Sequence, residues 1–396
     1  MSGRVNLMAP DVLANPYPFY AEMRRNAPVS QVDPGGFYAV ARMDDIMFAF
    51  KNPQIFSSEG FRAALKPAWL GHNPFGDSML VLDPPKHGRL RSLVTKAFGP
   101  GAVTRLEPRV RAFARETLEQ LPLGQQVDWV KSFATRIPAS VMAELLGLDA
   151  SRRARFEQLA DDLTGITGIA PDNTKRMEEI RVSLREGERE VREVLADRRR
   201  EPRDDLATDL MRAQVDGESL TDEELVAFMF LLLTAGLETT VNLLNHTARA
   251  LMEYPEVLAR VQADLSLVPK LIEEVLRFHP PVRSVFRLVT QDVELSGVRL
   301  AKGSRVLLLI GSADRDEKYF PDGDRFDIDR EGGYHLPFGH GIHFCLGAPL
   351  ARLEAKVALE TLLPRIKGFS PAGPVEWRRS ISLGAIDRMP LIAHPA

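Results

Sequence analysis

The chain contains one cysteine, Cys345, and it lies in the segment FGHGIHFCLG, residues 338–347. Gly339 and Gly341 let the backbone take positive φ and approach a bulky partner closely. After the cysteine, residues 347–363 read as a helix, with Pro349 tolerated in the first turn. A sulfur just before a helix meets free backbone N–H groups and the positive end of the helix dipole, and both favour a thiolate. The competing reading is a small buried hydrophobe, the usual fate of a lone cysteine. Two glycines, His343 two residues before the sulfur and Gly347 two after speak against a filler position. A nucleophilic hydrolase, active without any cofactor, would need a histidine partner and an oxyanion hole, and no such spacing is evident.

Three further clusters have chemical potential. In TAGLETT, residues 234–240, a mid-helix glycine costs about 1 kcal/mol relative to alanine, so Gly236 needs a reason. Thr239 can turn its hydroxyl back to the carbonyl of Ala235 and open the helix locally. Ala235 and Gly236 beside Glu238 and Thr239 make a groove for a diatomic ligand and water; the alternative is a close helix crossing with a surface glutamate. Glu274 and Arg277 stand one helical turn apart, as do pairs on any exposed helix. His87 and Arg91 share one helix face, where two donors suit a carboxylate, although a solvated basic face looks the same.

Helical periodicity dominates the elements that must position these groups, as in residues 18–25, 88–97, 110–121 and 206–213. The longest helix begins at the capping box of Thr221 and Glu224 and can run to about Tyr254, where Pro255 interrupts. That is roughly 33 residues and ~50 Å, enough to cross the molecule through its centre. Before it, residues 175–203 form a charged helix with pairs such as Glu188–Arg192 and Arg189–Glu193; Arg198, Arg199 and Arg200 belong to the same solvated face. Strand signals gather at 36–40 and at a small meander of Val293–Leu295, Val298–Leu300 and residues 305–310.

Of 396 residues, 44% are hydrophobic and 27% charged, with a net charge of −3, an ordinary globular composition that points to neither nucleic acid nor an anionic membrane. A single cysteine excludes an intramolecular disulfide and fits a reducing compartment. Residues 1–10 lack the apolar core of a signal peptide. The longest apolar run, 225–237, is shorter than the ~20 residues that span a bilayer. The expectation is a soluble, cytoplasmic protein without membrane contact.

The cysteine segment resembles the heme-binding signature of the cytochrome P-450 family, F-G-x-G-x-H-x-C-x-G, at every fixed position. Residues 235–239 resemble that family's A-G-x-[DE]-T segment, and 274–277 its E-x-x-R helix. The resemblance runs from residue 15 to 393 and implies a mainly α protein: one domain over 1–396, with a β-containing part at about 1–60 and a helical heme-binding core at about 84–396. It implies heme b with Cys345 as the iron ligand, within a site formed by Phe338, Gly347, Ala235 and Gly236. His87, Arg91, Arg287 and His343 would hold the propionates, and Glu238 with Thr239 would relay protons during oxygen activation. Glu274, Arg277 and Arg325 would be structural, although Gly323 replaces the commoner proline of the Arg325 loop. Trp69, Phe75, Leu80, Phe230, Leu231, Val282, Val285 and Leu383 would line a mostly apolar substrate site, with Arg283 meeting a substrate carboxylate or facing solvent.

The implied activity is monooxygenation of a small apolar substrate. One cysteine cannot hold an iron–sulfur cluster and no flavin domain is present. Electrons would therefore come from a ferredoxin with its reductase, or a flavodoxin, docking near Arg89, Lys96, Arg105 and Arg352. A peroxide-driven heme-thiolate enzyme and a non-enzymatic heme sensor are the rival readings.

Overall fold

The computed structural model describes residues 4–396 except 99, 149 and 171. Met1–Gly3 of the opening segment lie outside the described residues. The long helix spans Asp222–Glu253, and the Thr221 capping box forms: Glu224 N–H donates to Thr221 Oγ1 at 3.2 Å and Thr221 N–H to Glu224 Oε2 at 2.9 Å. Pro255 opens the next helix, Pro255–Ala263, so the interruption falls where the missing N–H requires it. This helix is the one described element long and apolar enough to cross a membrane, which the apolar run alone did not indicate; 67% of its most apolar stretch is buried inside the protein. It packs against Arg136–Leu145, Ala150–Gly165, Val268–Phe278 and Ala348–Leu362, and its Phe228, Phe230, Leu243 and Leu251 belong to the main core.

Helix Thr174–Arg200 buries Ile180, Leu184, Val191 and Leu195 and keeps its charged side outward, with Arg192 donating to Glu188 at 2.7 Å. Arg198 departs from the solvated face. It is buried, ion-paired with Asp205, and donates to the carbonyl of Gly147 at 2.6 Å, because the neighbouring loops close over it.

The strands depart most from expectation. Val293–Leu295 and Val298–Leu300 pair as a separate hairpin, whereas Arg305–Leu308 leaves the expected meander and runs parallel to Phe37–Val40. The resulting five-stranded sheet has the spatial order Val29–Val32, Phe37–Val40, Arg305–Leu308, Val285–Val289, Phe56–Ser57, joining strands from both ends of the chain over a second core. A three-stranded sheet joins Gln126–Asp128, Pro390–Pro395 and Ile366–Pro371, and a two-stranded hairpin joins Glu376–Trp377 to Ile386–Arg388.

Candidate heme site

The cysteine loop is shaped as its glycines require. Gly339 and Gly341 have φ of 73° and 71°, and Cys345 N–H donates to the carbonyl of Phe338 at 2.9 Å, closing the loop. A Cβ on Gly341 would lie 3.1 Å from the carbonyl oxygen of Phe50. Helix Ala348–Leu362 starts with Gly347 as its N-cap, and backbone N–H groups of Gly347 and Ala348 point at the sulfur. Burial nonetheless pushes the Cys345 thiol up, against those N–H groups and the nearby charges of Arg91 and Arg352. The expected thiolate stabilisation is present but does not by itself outweigh desolvation; a cation at the sulfur would tip the balance.

Arg352 stacks its guanidinium over Phe338 at 4.4 Å and is held by Glu273 at 2.6 and 3.0 Å, and Glu273 also reaches His335 at 3.1 Å. Asp314 anchors the start of the loop, accepting the N–H of Leu336 at 2.7 Å, while its other oxygen is buried without a partner. Burial pushes the Asp314 carboxyl up to about 7, with His335, Arg277 and Arg315 pulling the other way. A carboxyl raised above its unfolded value of ~3.9 contributes most below that value and loses stability as pH rises from about 4 to 7. Asp314→Asn, neutral at all pH and still an acceptor, is expected to raise Tm relative to the parent far more at pH 8 than at pH 5. An equal effect at both pH values would contradict the assignment.

Four bases converge beside this loop. The His87 and His343 rings lie 4.2 Å apart between centroids, and Arg91 and Arg287 are close enough to depress the ionisation of His343. His343 falls to about 3, first through burial and then through Arg287, His87 and Arg91; His87 falls through burial and Arg91. Buried Arg287 is lowered to about 10. The anion facing this group is Asp83, which is already occupied: Ser57 Oγ donates to it at 2.5 Å and Ser58 N–H at 2.9 Å. Side chains whose positive forms are this disfavoured call for further negative charge. The two propionates of heme b would meet that requirement, and a cysteine sulfur at a helix start would hold its iron, so the donor set fits the group.

On the long helix, Thr239 Oγ1 donates to the carbonyl of Ala235 at 2.8 Å, the back-bond expected from the sequence, within a helix that stays continuous from Asp222 to Glu253. Ala235 is exposed in the middle of an otherwise buried helix. At Gly236 a Cβ would lie 2.5 Å from Met142 Sδ, which fits a close crossing with Arg136–Leu145. The Glu238 carboxylate accepts from Arg378 at 2.6 Å, and burial raises its pKa.

Glu274 and Arg277 form a buried bidentate pair at 2.7 Å. Arg277 also donates to the carbonyls of Asp314, Gly323 and Arg325 at 2.9, 2.8 and 3.1 Å. Arg325 therefore contributes its backbone; its side chain is 68% exposed and pairs with Asp327. The third partner beside Glu274 and Arg277 is Arg330, whose guanidinium is 12% exposed, 3.8 Å from Glu274 and bonded to the carbonyls of Pro321, Asp322 and Arg325. Gly323 has its own reason, since a Cβ would lie 2.6 Å from the carbonyl oxygen of Arg315.

Among the residues expected to line a substrate site, Trp69, Leu80, Val282, Val285 and Leu383 are partly exposed, and Val282 forms a β-bridge to Leu383. Phe75, Phe230 and Leu231 are buried in the main core, Phe230 completely. Arg283 does not face solvent: it is buried, donates to the carbonyl of Leu13 at 2.6 Å and sits over the Trp377 ring at 5.1 Å, while its Nε and Nη2 are buried without a partner. Of the basic residues expected at a docking face, Arg89 is engaged by Glu224, Lys96 by the carbonyl of Gln214 and Arg352 by Glu273, leaving Arg105 exposed.

Ser58, Asp83, Arg330 and Arg378 were missed. Ser58 hydrogen-bonds His343 at 2.9 Å from 285 positions away, and no short-range signal marks such a partner. Asp83, as a helix-entry acid four residues before His87, was the one most open to detection.

A family model described as cytochrome P450 matches residues 47–371. The 6-deoxyerythronolide B hydroxylase of Saccharopolyspora erythraea is 36% identical over 391 residues, 95% of each chain. Cytochrome P450 CYP109Q5 from Chondromyces apiculatus has a TM-score of 0.92 at 42% identity, covering 100% of both chains. CYP109E1 from Bacillus megaterium, solved with corticosterone, has a TM-score of 0.86 at 33% identity over 97% of this chain and 99% of that one. These likenesses extend along nearly the whole sequence and agree with the site's geometry, and the chain belongs to the cytochrome P450 family of heme b monooxygenases.

Proposed function

We propose that this protein oxygenates a small, mostly apolar molecule, by hydroxylation or epoxidation, with electrons from a ferredoxin and its reductase or from a flavodoxin. The observation that carries this reading is the cluster of His87, Arg91, Arg287 and His343 beside a cysteine at a helix start. The partly exposed Trp69, Leu80, Val282, Val285 and Leu383 support an apolar substrate, as does the corticosterone bound to CYP109E1. The lone cysteine supports an external electron donor and a reducing, cytoplasmic setting.

Heme b, when bound, supplies activation of O2 and transfer of one oxygen atom to the substrate. The chain's own groups do the rest. Cys345 provides an anionic sulfur ligand, steadied by the N–H groups of Gly347 and Ala348. The four bases orient the heme edge through its carboxylates. Thr239 holds its hydroxyl at the Ala235 carbonyl, from which it can release that bond and pass a proton inward; Glu238, one residue earlier, replenishes it.

A substrate-library screen for the spin-state absorbance shift, followed by turnover with a ferredoxin system, tests the reading. Oxygenation with hydrogen peroxide and none with electron-transfer proteins would favour the peroxide-driven enzyme, and ligand binding without oxygenation a sensor. Thr239→Ala is expected to leave substrate binding intact while product formed per electron pair falls about tenfold or more. Unchanged coupling would remove Thr239 from the proton path.

A further inference from the structure

Away from the cysteine loop, the long helix, the segment after Val268–Phe278 and the loop before Ile386–Arg388 enclose a second group of bases. His246 is wholly buried, and His279 and Arg283 are each 4% exposed. The His246 and His279 rings lie 5.6 Å apart between centroids. Gly384 closes the group: its carbonyl accepts from His246 Nε2 at 2.7 Å, and a Cβ on it would lie 2.5 Å from Arg283 Nε. Arg283 and Arg249 both sit over the Trp377 ring, at 5.1 and 5.4 Å.

The hydrogen-bonding atoms of this group are not matched within the chain. His246 Nδ1, His279 Nε2 and both Nε and Nη2 of Arg283 are buried without a partner. Arg283 has one side-chain bond, from Nη1 to the Leu13 carbonyl at 2.6 Å, and among the described residues it forms no ion pair. The charged side chains acting on the two rings are all cationic. Burial first, then Arg283 and Arg249, push His246 down to about 3. Burial first, then Arg249, His246, Arg315 and Arg283, hold His279 well below its ordinary range.

Elsewhere in the protein the same two nitrogens of an arginine close on one carboxylate. Nε and Nη2 of Arg24 grip Glu317 at 3.0 Å each, those of Arg277 grip Glu274 at 2.7 Å each, and those of Arg352 grip Glu273 at 2.6 and 3.0 Å. Arg283 presents that fork to no carboxylate among the described residues. A guanidinium in the interior without a counter-charge is costly. Water can satisfy its N–H groups but not its charge.

We propose that the Arg283 fork, with His246 and His279 beside it, is a binding site for one small planar oxyanion of the size of bicarbonate. Two oxygens of such an ion match the fork as the glutamate oxygens do in the three pairs above. Its hydroxyl suits His246 Nδ1, an acceptor because Nε2 gives its proton to the Gly384 carbonyl. The enclosure of all three side chains favours a small free ion over the end of a larger molecule.

The test uses the purified heme-loaded protein, titrated with bicarbonate at fixed pH and against chloride at equal ionic strength. Bicarbonate is expected to raise Tm saturably, by about 2 °C or more once far above its Kd, while chloride does not. Infrared difference spectra between unlabelled and isotope-labelled bicarbonate should show a saturable band of immobilised ion in the parent. Arg283→Met and Gly384→Ala should each abolish the rise and the band; Gly384→Ala keeps the charge and displaces the fork. An equal rise with chloride would mean screening and would overturn the oxyanion site. A rise that survives both substitutions, or one accompanied by a moved Soret band, puts the ion elsewhere and overturns it too. With neither rise nor isotope band, water alone meets the fork and the proposal falls. If Arg283→Met does not accumulate, the Gly384→Ala comparison and the parent's isotope band decide.

Discussion

Cys345→Ala protein, reduced under carbon monoxide, is expected to lose the far red-shifted Soret band completely and to oxygenate nothing above background. The reason lies in how the site divides its labour. Cys345 meets the N–H groups of Gly347 and Ala348 and the charges of Arg91 and Arg352, all of which favour an anionic sulfur, while burial opposes it. An anionic sulfur would hold the iron of heme b and supply the electron-rich ligand that its oxygen chemistry calls for. Alanine removes that ligand; serine restores a hydrogen-bonding atom but, with a far higher pKa, not an anion. Neither change touches His87, Arg91, Arg287 or His343, so heme should still be retained, more weakly, and the protein should remain folded. Heme content by extraction, circular dichroism and the carbon monoxide spectrum measured on one sample separate ligation from loading. A persistent far red band in Cys345→Ala would mean that another atom holds the iron.

The second large effect is on stability. Arg277→Ala should cost about 3–5 kcal/mol, because it leaves the Glu274 carboxylate buried without its main counter-charge. It also strips the carbonyls of Asp314, Gly323 and Arg325 of their shared donor. Against a total stability of roughly 5–15 kcal/mol, that loss is expected to appear as failure to accumulate folded, heme-bearing protein. Arg277→Lys should rescue little, since one ammonium cannot supply three carbonyls and a bidentate carboxylate at once. Arg325→Ala and Arg330→Ala provide the sharper comparison. The exposed Arg325 side chain should be nearly neutral, within about 0.5 kcal/mol, and Arg330 should cost more than about 1 kcal/mol. Denaturant titration of both variants checks this, and the reverse order would restore Arg325 as the third partner.

The Arg325 and Arg330 outcome shows where sequence reading stops. Residues 321–326 matched the shape of a motif, and the chain does deliver that loop to Arg277, but through a carbonyl; the charged partner comes from five residues further on. Which end of an arginine is used depends on the path of the loop, and no nearby residue type encodes it. The solvated positions expected for Arg198, and as one alternative for Arg283, fail the same way, since both side chains are buried. At Gly236 the sequence left a groove and a close helix crossing both open, and the contact that bears on the crossing comes from Met142 on another helix.

Short-range physics was legible without coordinates. The Thr221 capping box, the stop at Pro255, the positive φ of Gly339 and Gly341, the Thr239 back-bond to Ala235 and the helix behind Cys345 all act over four residues or fewer. They suffice to put the sulfur at a helix start and the acid–alcohol pair at mid-helix. Folding alone could decide that Arg378 reaches Glu238 across 140 positions and Asp161 across 217, that Ser58 meets His343, and that strands 37–40 and 305–308 lie side by side. A long flexible side chain or a strand edge is satisfied by whichever partner the packed core brings near, and that choice is made by the shape of the whole molecule.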